Sequence, residues 1–193
     1  EAILLQMKIK EEKEQAELAA QQEAERLAEE AKEEAPAKAK EKDSDQIAIV
    51  LLDFYNMKNK EEATRTFQSE SQKGYHYIVA KQNDKIIGLV TWLTHGLLKH
   101  GLFELDRICL LKDSRGLGLG KTLVEKLIEN ARIFYRERNE HIRKLYLLTH
   151  EENKSAQLFY EKVGFKYEAT LNDHYYANKQ EKVFSIFFNK NNN

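Results

Sequence analysis

Arg115-Gly116-Leu117-Gly118-Leu119-Gly120-Lys121-Thr122 decides the reading of this 193-residue chain, because three of its eight glycines fall within these few positions. Glycine lets backbone N–H groups turn inward and approach a ligand closely, and a helix that starts there adds the positive end of its dipole. A strand, a glycine loop and a helix in that order therefore make a seat for phosphate groups, with Arg115 adding charge. The plain alternative is a tight strand-to-helix turn that holds nothing. Two nucleotide motifs fit poorly. A P-loop ends as Gly120-Lys121-Thr122 does, but Arg115 stands where its first glycine belongs, and in a dinucleotide fingerprint the third glycine would come one residue later.

Outward from the loop, the pattern alternates strands and helices. Leu102 to Leu111 reads as a strand, and Leu119, Leu123, Leu127, Ala131 and Phe134 fall on one helical stripe. Upstream, Ser44 or Asp45 can cap a helix that carries Ile47, Val50, Leu51, Phe54 and Tyr55, and Lys60 to Ser69 can form a second. Tyr75 to Lys81 and Lys85 to Thr94 then form a hairpin around Asn83-Asp84. Downstream, Lys144 to Thr149 reads as a parallel return strand. A compact helix follows with Ala156, Phe159, Tyr160 and Val163 on one side, and Gly164 ends it. Phe165 to Thr170 and Lys182 to Phe188 complete the order α-α-β-β-β-α-β-α-β-β, a mixed α/β sheet flanked by helices.

The loop resembles the Q/R-x-x-G-x-G/A pyrophosphate loop of the GNAT superfamily of N-acetyltransferases, with Arg115, Gly118 and Gly120 at its defining positions. The likeness extends to E-L-D-R-I-C-L-L at 104–111, similar to the family's fourth strand, and to N-K-S-A-Q-L-F-Y-E-K-V-G-F at 153–165, similar to its second coenzyme-contacting segment. It covers roughly Tyr75 to Phe188. It implies a mostly antiparallel GNAT-like sheet and acetyl-CoA as cosubstrate, with no metal. The pyrophosphate would lie on Arg115, Gly116, Leu117, Gly118, Leu119, Gly120, Lys121 and Thr122, and the pantetheine would pair with backbone around Ile108, Cys109 and Leu110 and touch Asn153.

The resemblance also implies roles in direct transfer to an amine. Glu104 would be the catalytic base and Tyr160 the general acid for the departing thiolate, while Asp106, His150, His174, Tyr175 and Tyr176 would border the acceptor. Each has a plainer reading: a solvent-facing strand residue for Glu104, a core tyrosine for Tyr160, a helix cap for Asn153, a small buried hydrophobe for Cys109, and surface residues for the histidines. The acceptor class stays open. The E-L-D-R-I strand and the F-Y-E-K-V-G-F helix are similar to bacterial polyamine acetyltransferases, whereas H-Y-Y before a final strand is similar to protein N-terminal acetyltransferases. A non-catalytic acyl-CoA-binding module is the further alternative.

Composition sets the outer limits. Residues 1–43 hold 13 acidic and 8 basic side chains with no aromatic and no glycine, leaving 19 acidic and 23 basic for the remainder. Core-forming material therefore lies in the last 150 or so residues. The expected organisation is a charged helical extension over 1–35, with Ala16, Ala20, Ala24, Leu27 and Ala31 as a thin seam, a linker over 36–43 after the break at Pro36, and the acetyltransferase domain over 44–193. Ile3, Leu4, Leu5, Met7 and Ile9 would make the extension a docking helix, for a homodimer or another helical partner. The single Cys109, the lack of a zinc-like spacing and the lack of a long apolar run favour a cytoplasmic setting with no membrane, and the near-neutral charge gives no footprint for nucleic acid. The chain starts on Glu1 rather than Met, as a fragment or a processed form would.

Overall fold

A computed structural model of the chain describes residues 36–189, together with Lys10, residues 13–19 and Gln22. It divides into two compact units, 1–35 and 36–193. In the first, the described residues are helical and exposed, and Lys10 pairs with Glu14 one turn on at 3.8 Å. The apolar positions 3–9 and most of the alanine seam, on which docking was expected, lie outside the described residues.

The second unit holds a seven-stranded sheet ordered β1-β2-β3-β4-β5-β7-β6. Its elements are β1 (Ala37–Lys38), α1 (Ser44–Phe54), α2 (Lys60–Gln72), β2 (His76–Gln82), β3 (Lys85–Thr94), β4 (Leu102–Leu110), α3 (Leu119–Arg136), β5 (Lys144–His150), α4 (Lys154–Lys162), β6 (Lys166–Asn172) and β7 (Gln180–Phe187). Every neighbouring pair is antiparallel except β4 and β5, so the architecture is the expected mixed, mostly antiparallel α/β sheet flanked by helices.

One segment departs from the sequence expectation. Residues 36–43, read as a linker, fold with the sheet: Ala37 and Lys38 pair with Val79 and Ile78, and a short 3-10 helix follows over Glu41–Asp43. The anchor is Asp43, only 4% exposed, whose carboxylate accepts from the Lys40 N–H and from Lys81 Nζ, each at 2.8 Å. Asp43 also occupies the N-cap position of α1, where no side-chain cap bond forms, so neither Ser44 nor Asp45 serves as the cap.

Side-chain alternation sorts the core into two layers. On one face, Leu123, Leu127, Ala131 and Tyr135 of α3 cover Trp92, Phe103, Leu105 and Leu145. On the other, Ile47, Val50 and Leu51 of α1 and Phe67 of α2 cover Tyr77, Val79, Leu89 and Cys109. Thr91 pairs with Arg107 and the next residue, Trp92, with Leu105, so Asp106 is an extra residue bulged out of β4. The bulge resets the alternation. Phe103 and Leu105 face α3, yet Cys109 faces α1, while Ile108 and Leu110 pack on the α3 side.

The pairing of β4 with β5 runs only from Leu102–Lys144 to Glu104–Tyr146. Beyond that the two strands separate. The vertex of this fork is tied by the Gly101 carbonyl, which accepts from the N–H groups of Arg143 and Lys144 at 2.8 and 3.0 Å, and by the Tyr135 hydroxyl, which donates to the Leu102 carbonyl at 2.8 Å. Gly101 has φ +57°, and a Cβ there would stand 2.3 Å from the His141 carbonyl oxygen. Among the described residues, no helix is long and apolar enough to cross a membrane. Gly101→Ala is expected to lower stability by about 2 kcal/mol or more, read by urea unfolding, because the clash is with backbone at a left-handed position.

Candidate active site

The fork is where unpaired backbone collects. β5 bonds β7 along its whole length and β4 bonds β3, so the facing edges of residues 105–110 and 147–150 have no strand partner. Such edges accept an extended ligand as an added strand. Ile108, Cys109 and Leu110 lie on this edge. Cys109 is 2% exposed, and burial pushes its thiol up to about 12, so it is a neutral packing group rather than a nucleophile.

At the open end of the fork, Gly116 and Gly118 adopt φ +81° and +82°, and Gly118 is the N-cap of α3. Among the described residues, the N–H groups of Gly116, Leu117, Gly118, Leu119 and Gly120 make no hydrogen bond, whereas those of Lys121 and Thr122 turn back to the Gly118 carbonyl at 3.0 and 3.3 Å. Free N–H groups at the start of an 18-residue helix suit an anionic group. Gly120 has another reason to be glycine: a Cβ there would lie 2.9 Å from the Phe159 ring, so it permits α3 and α4 to touch. Arg115 Nε donates to the Leu110 carbonyl at 3.0 Å and its guanidinium lies 4.7 Å from the Phe54 ring centre, bracing the loop against β4 and α1. Leu117 is exposed and Lys121 stands 3.7 Å from Glu125.

Two groups approach the fork from α4. Asn153 caps the helix, accepting from the Ala156 N–H at 3.2 Å and from the Ser155 hydroxyl at 3.1 Å. Tyr160 is 8% exposed and its ring packs near Phe159, Phe165 and Phe184. Its hydroxyl makes no hydrogen bond among the described residues, which is uncommon for a buried phenol. Burial, with a smaller push from Cys109, raises it to about 12. Tyr55, at the end of α1 on the opposite face, is itself raised by burial first and then by Cys109, Asp106 and Tyr160, against the lowering pull of Arg107.

The acidic side lies on the α1–α2 face. Glu104 Oε2 accepts from the Tyr146 hydroxyl at 3.1 Å, and His95 Nε2 lies 2.6 Å from the same oxygen, off hydrogen-bond alignment. Asp106 accepts from the Thr91 hydroxyl at 3.3 Å and lies 3.2 Å from Arg107, which also holds Glu70 at 2.5 Å and covers the Tyr55 ring. Tyr77 donates its hydroxyl to the same Glu70 carboxylate. Burial raises Asp106, and the nearby Glu70 and Glu104 add to this against Arg107. Tyr175 is raised by burial and then by Glu104, Asp106 and Glu181.

The structure thus brings Glu104, Asp106 and Tyr175 into one electrostatic neighbourhood. His150 shares the face of Tyr146 but its Nδ1 accepts from the Glu152 N–H at 3.4 Å. His174 touches Tyr175 edge-on at 4.6 Å, and Tyr176, 68% exposed, contributes a carbonyl to Lys179, so neither side chain joins the acids. Sequence reasoning missed His95, Tyr146 and Glu70. The alternation in K-L-Y-L-L-T-H could have placed Tyr146 opposite Leu145 and Leu147; Glu70 and His95 had no local signal. Among the described residues, no group of three or more His, Cys, Asp or Glu is disposed to hold a metal ion.

A parallel strand pair that opens beside a glycine-rich helix start, with a buried phenol at the fork, defines an acyl-CoA-dependent transferase. The sequence description of the Acetyltransferase (GNAT) family matches residues 44–165, well over half of the chain, and the chain belongs to that family of acetyl-CoA-dependent N-acetyltransferases. Among solved structures, it is similar to ribosomal-protein-alanine N-acetyltransferase from Brucella melitensis, at 17% identity and TM-score 0.62 over 79% of this chain and 99% of that one. It is also similar to a point variant of spermidine N-acetyltransferase from Vibrio cholerae, at 18% and 0.63 over 79% and 92%. A third is an aminoglycoside 6'-N-acetyltransferase complexed with coenzyme A, at 15% and 0.61 over 75% and 89%. No curated protein matches the chain.

Glu70→Ala would leave the half-buried Arg107 and the buried Tyr77 without their shared carboxylate. It is expected to cost about 3 kcal/mol, read by thermal or urea unfolding.

Proposed function

We propose that this enzyme transfers acetyl from acetyl-CoA directly to a primary amine of a small cationic acceptor, within a ternary complex. The observation that carries the proposal is the two-sided fork, with the unpartnered Tyr160 hydroxyl on the α4 side and the Glu104 and Asp106 carboxylates on the α1–α2 side. Spermidine and aminoglycosides, the acceptors in the names of two structural neighbours, are small polycations and agree with an acidic wall.

In this reading, the free N–H groups of 116–120 hold the pyrophosphate and the unpaired edge of β4 around Ile108, Cys109 and Leu110 holds the pantetheine as an added strand. Backbone N–H groups on that edge polarise the thioester carbonyl and stabilise the oxyanion as the amine nitrogen attacks. An alkylammonium, with a pKa near ~10.4, must first lose a proton. Glu104 takes it through water, positioned by Tyr146 and paired with His95, while Asp106 holds the cation nearby. As the carbon–sulfur bond breaks, Tyr160 hydrogen-bonds to the thiolate and gives it a proton, and the second proton that the nitrogen sheds in becoming an amide returns through water to the Tyr160 oxygen, leaving the amide, the free thiol and the phenol restored. The phenol is protonated at neutral pH, and burial extends that form up to about pH 12.

Tyr160→Phe is expected to lower kcat about 10- to 100-fold with acetyl-CoA affinity unchanged, measured as free thiol release and by calorimetry. Binding of acetyl-CoA by the wild-type protein with no thiol release from any amine would instead favour the non-catalytic acyl-CoA module. The active form of Tyr160 is the protonated one and it is lost only as pH passes about 12. The pH–rate profile should therefore rise as the amine deprotonates and show no falling limb from Tyr160 through about pH 10.

A further inference from the structure

Glu181 is 2% exposed, and among the described residues neither of its carboxylate oxygens has a hydrogen-bond partner. A buried unpaired carboxylate is costly to a fold unless a cation occupies the site in use. Its place is fixed by register: Glu181 pairs with His150 on β5, and His150 lies on the same face as Tyr146, which is registered beside Glu104. Leu145 and Leu147 alternate to the opposite face and join the α3 core, so Glu181, Tyr146 and Glu104 share the α1–α2 side. Tyr175, in the β6–β7 connection, is raised by burial and then by Glu104, Asp106 and Glu181.

We propose that Glu181 is a second cation anchor of the acceptor site, and that the acceptor is an elongated diamine with one nitrogen near Glu104 and an ammonium held by Glu181. This rests on the amine-acetyltransferase reading above and adds the acceptor class to it. From the position of Tyr146 to that of His150 the strand rises about 13 Å, so the two anchors suit a chain with charges at both ends rather than a compact amine. No other buried acid in the described residues is left without a partner in this way. The reacting nitrogen gives up its charge to be acetylated and the remote one keeps its charge throughout, so the far end needs a carboxylate that pairs with it and takes no part in the transfer.

The test is calorimetric binding of 1,8-diaminooctane and n-octylamine to the full chain loaded with desulfo-coenzyme A. The diamine should bind about thirtyfold more tightly than the monoamine, Glu181→Gln should erase that difference, and Glu181→Asp should retain most of it. Equal binding of the two amines to the wild-type protein would overturn the proposal without relying on any variant, and so would a difference that survives in a folded Glu181→Gln. Thiol release from acetyl-CoA with the diamine is read separately. Selective binding without transfer would overturn the acetyltransferase reading of the acceptor and leave the Glu181 anchor standing, whereas transfer without selectivity would do the reverse.

Discussion

The separation of β4 from β5 after Glu104 and Tyr146 is the constraint on which the rest of the site depends. Two parallel strands that part inside a sheet expose backbone N–H and C=O groups, and buried groups of that kind need partners. The chain bears this cost because each strand is secured on its other side, β4 to β3 and β5 to β7, and because Gly101 and Tyr135 tie the vertex. The opening can then persist as a slot between two firm half-sheets.

The bulge at Asp106 matters next. Without the extra residue, strict alternation would carry the face of Phe103 and Leu105 on to Arg107 and Cys109, sending the guanidinium toward the apolar layer under α3. With it, Glu104, Asp106 and Arg107 all stand on the α1–α2 side, where Glu70, Tyr77 and Thr91 supply partners. The cost of placing these charges in a half-buried region is offset by the pairing of Arg107 with Asp106 and Glu70 and by the Tyr146 hydroxyl on Glu104. Asp106 nevertheless stays raised, since burial and two neighbouring carboxylates outweigh Arg107.

The glycine loop divides its work among its residues. Gly116 and Gly118 are needed for left-handed backbone at the helix start, while Gly120 is needed because Phe159 of α4 packs against it. Arg115 braces the loop to β4 and α1. A single motif in the sequence thus serves left-handed backbone at the helix start, helix packing and loop rigidity, three demands that local pattern alone does not separate.

The sequence by itself determined most of the elements and the glycine loop, since those rest on local properties: periodicity of 3.6 and 2, glycine at positive φ, and an asparagine that caps a helix. It also determined Glu104 and Tyr160 as candidates through their motifs. Only the tertiary structure decided that 36–43 joins the sheet, because the partner of β1 lies some forty residues away and Asp43 is held by Lys81. The same holds for the companions of Glu104. His95 comes from the end of β3, Tyr146 from β5 and the nearby Tyr175 from the β6–β7 connection, and no local rule brings residues so far apart in the chain to one carboxylate. Glu181 is the clearest case: in sequence it is an ordinary charged strand residue, and only folding shows it buried without a partner.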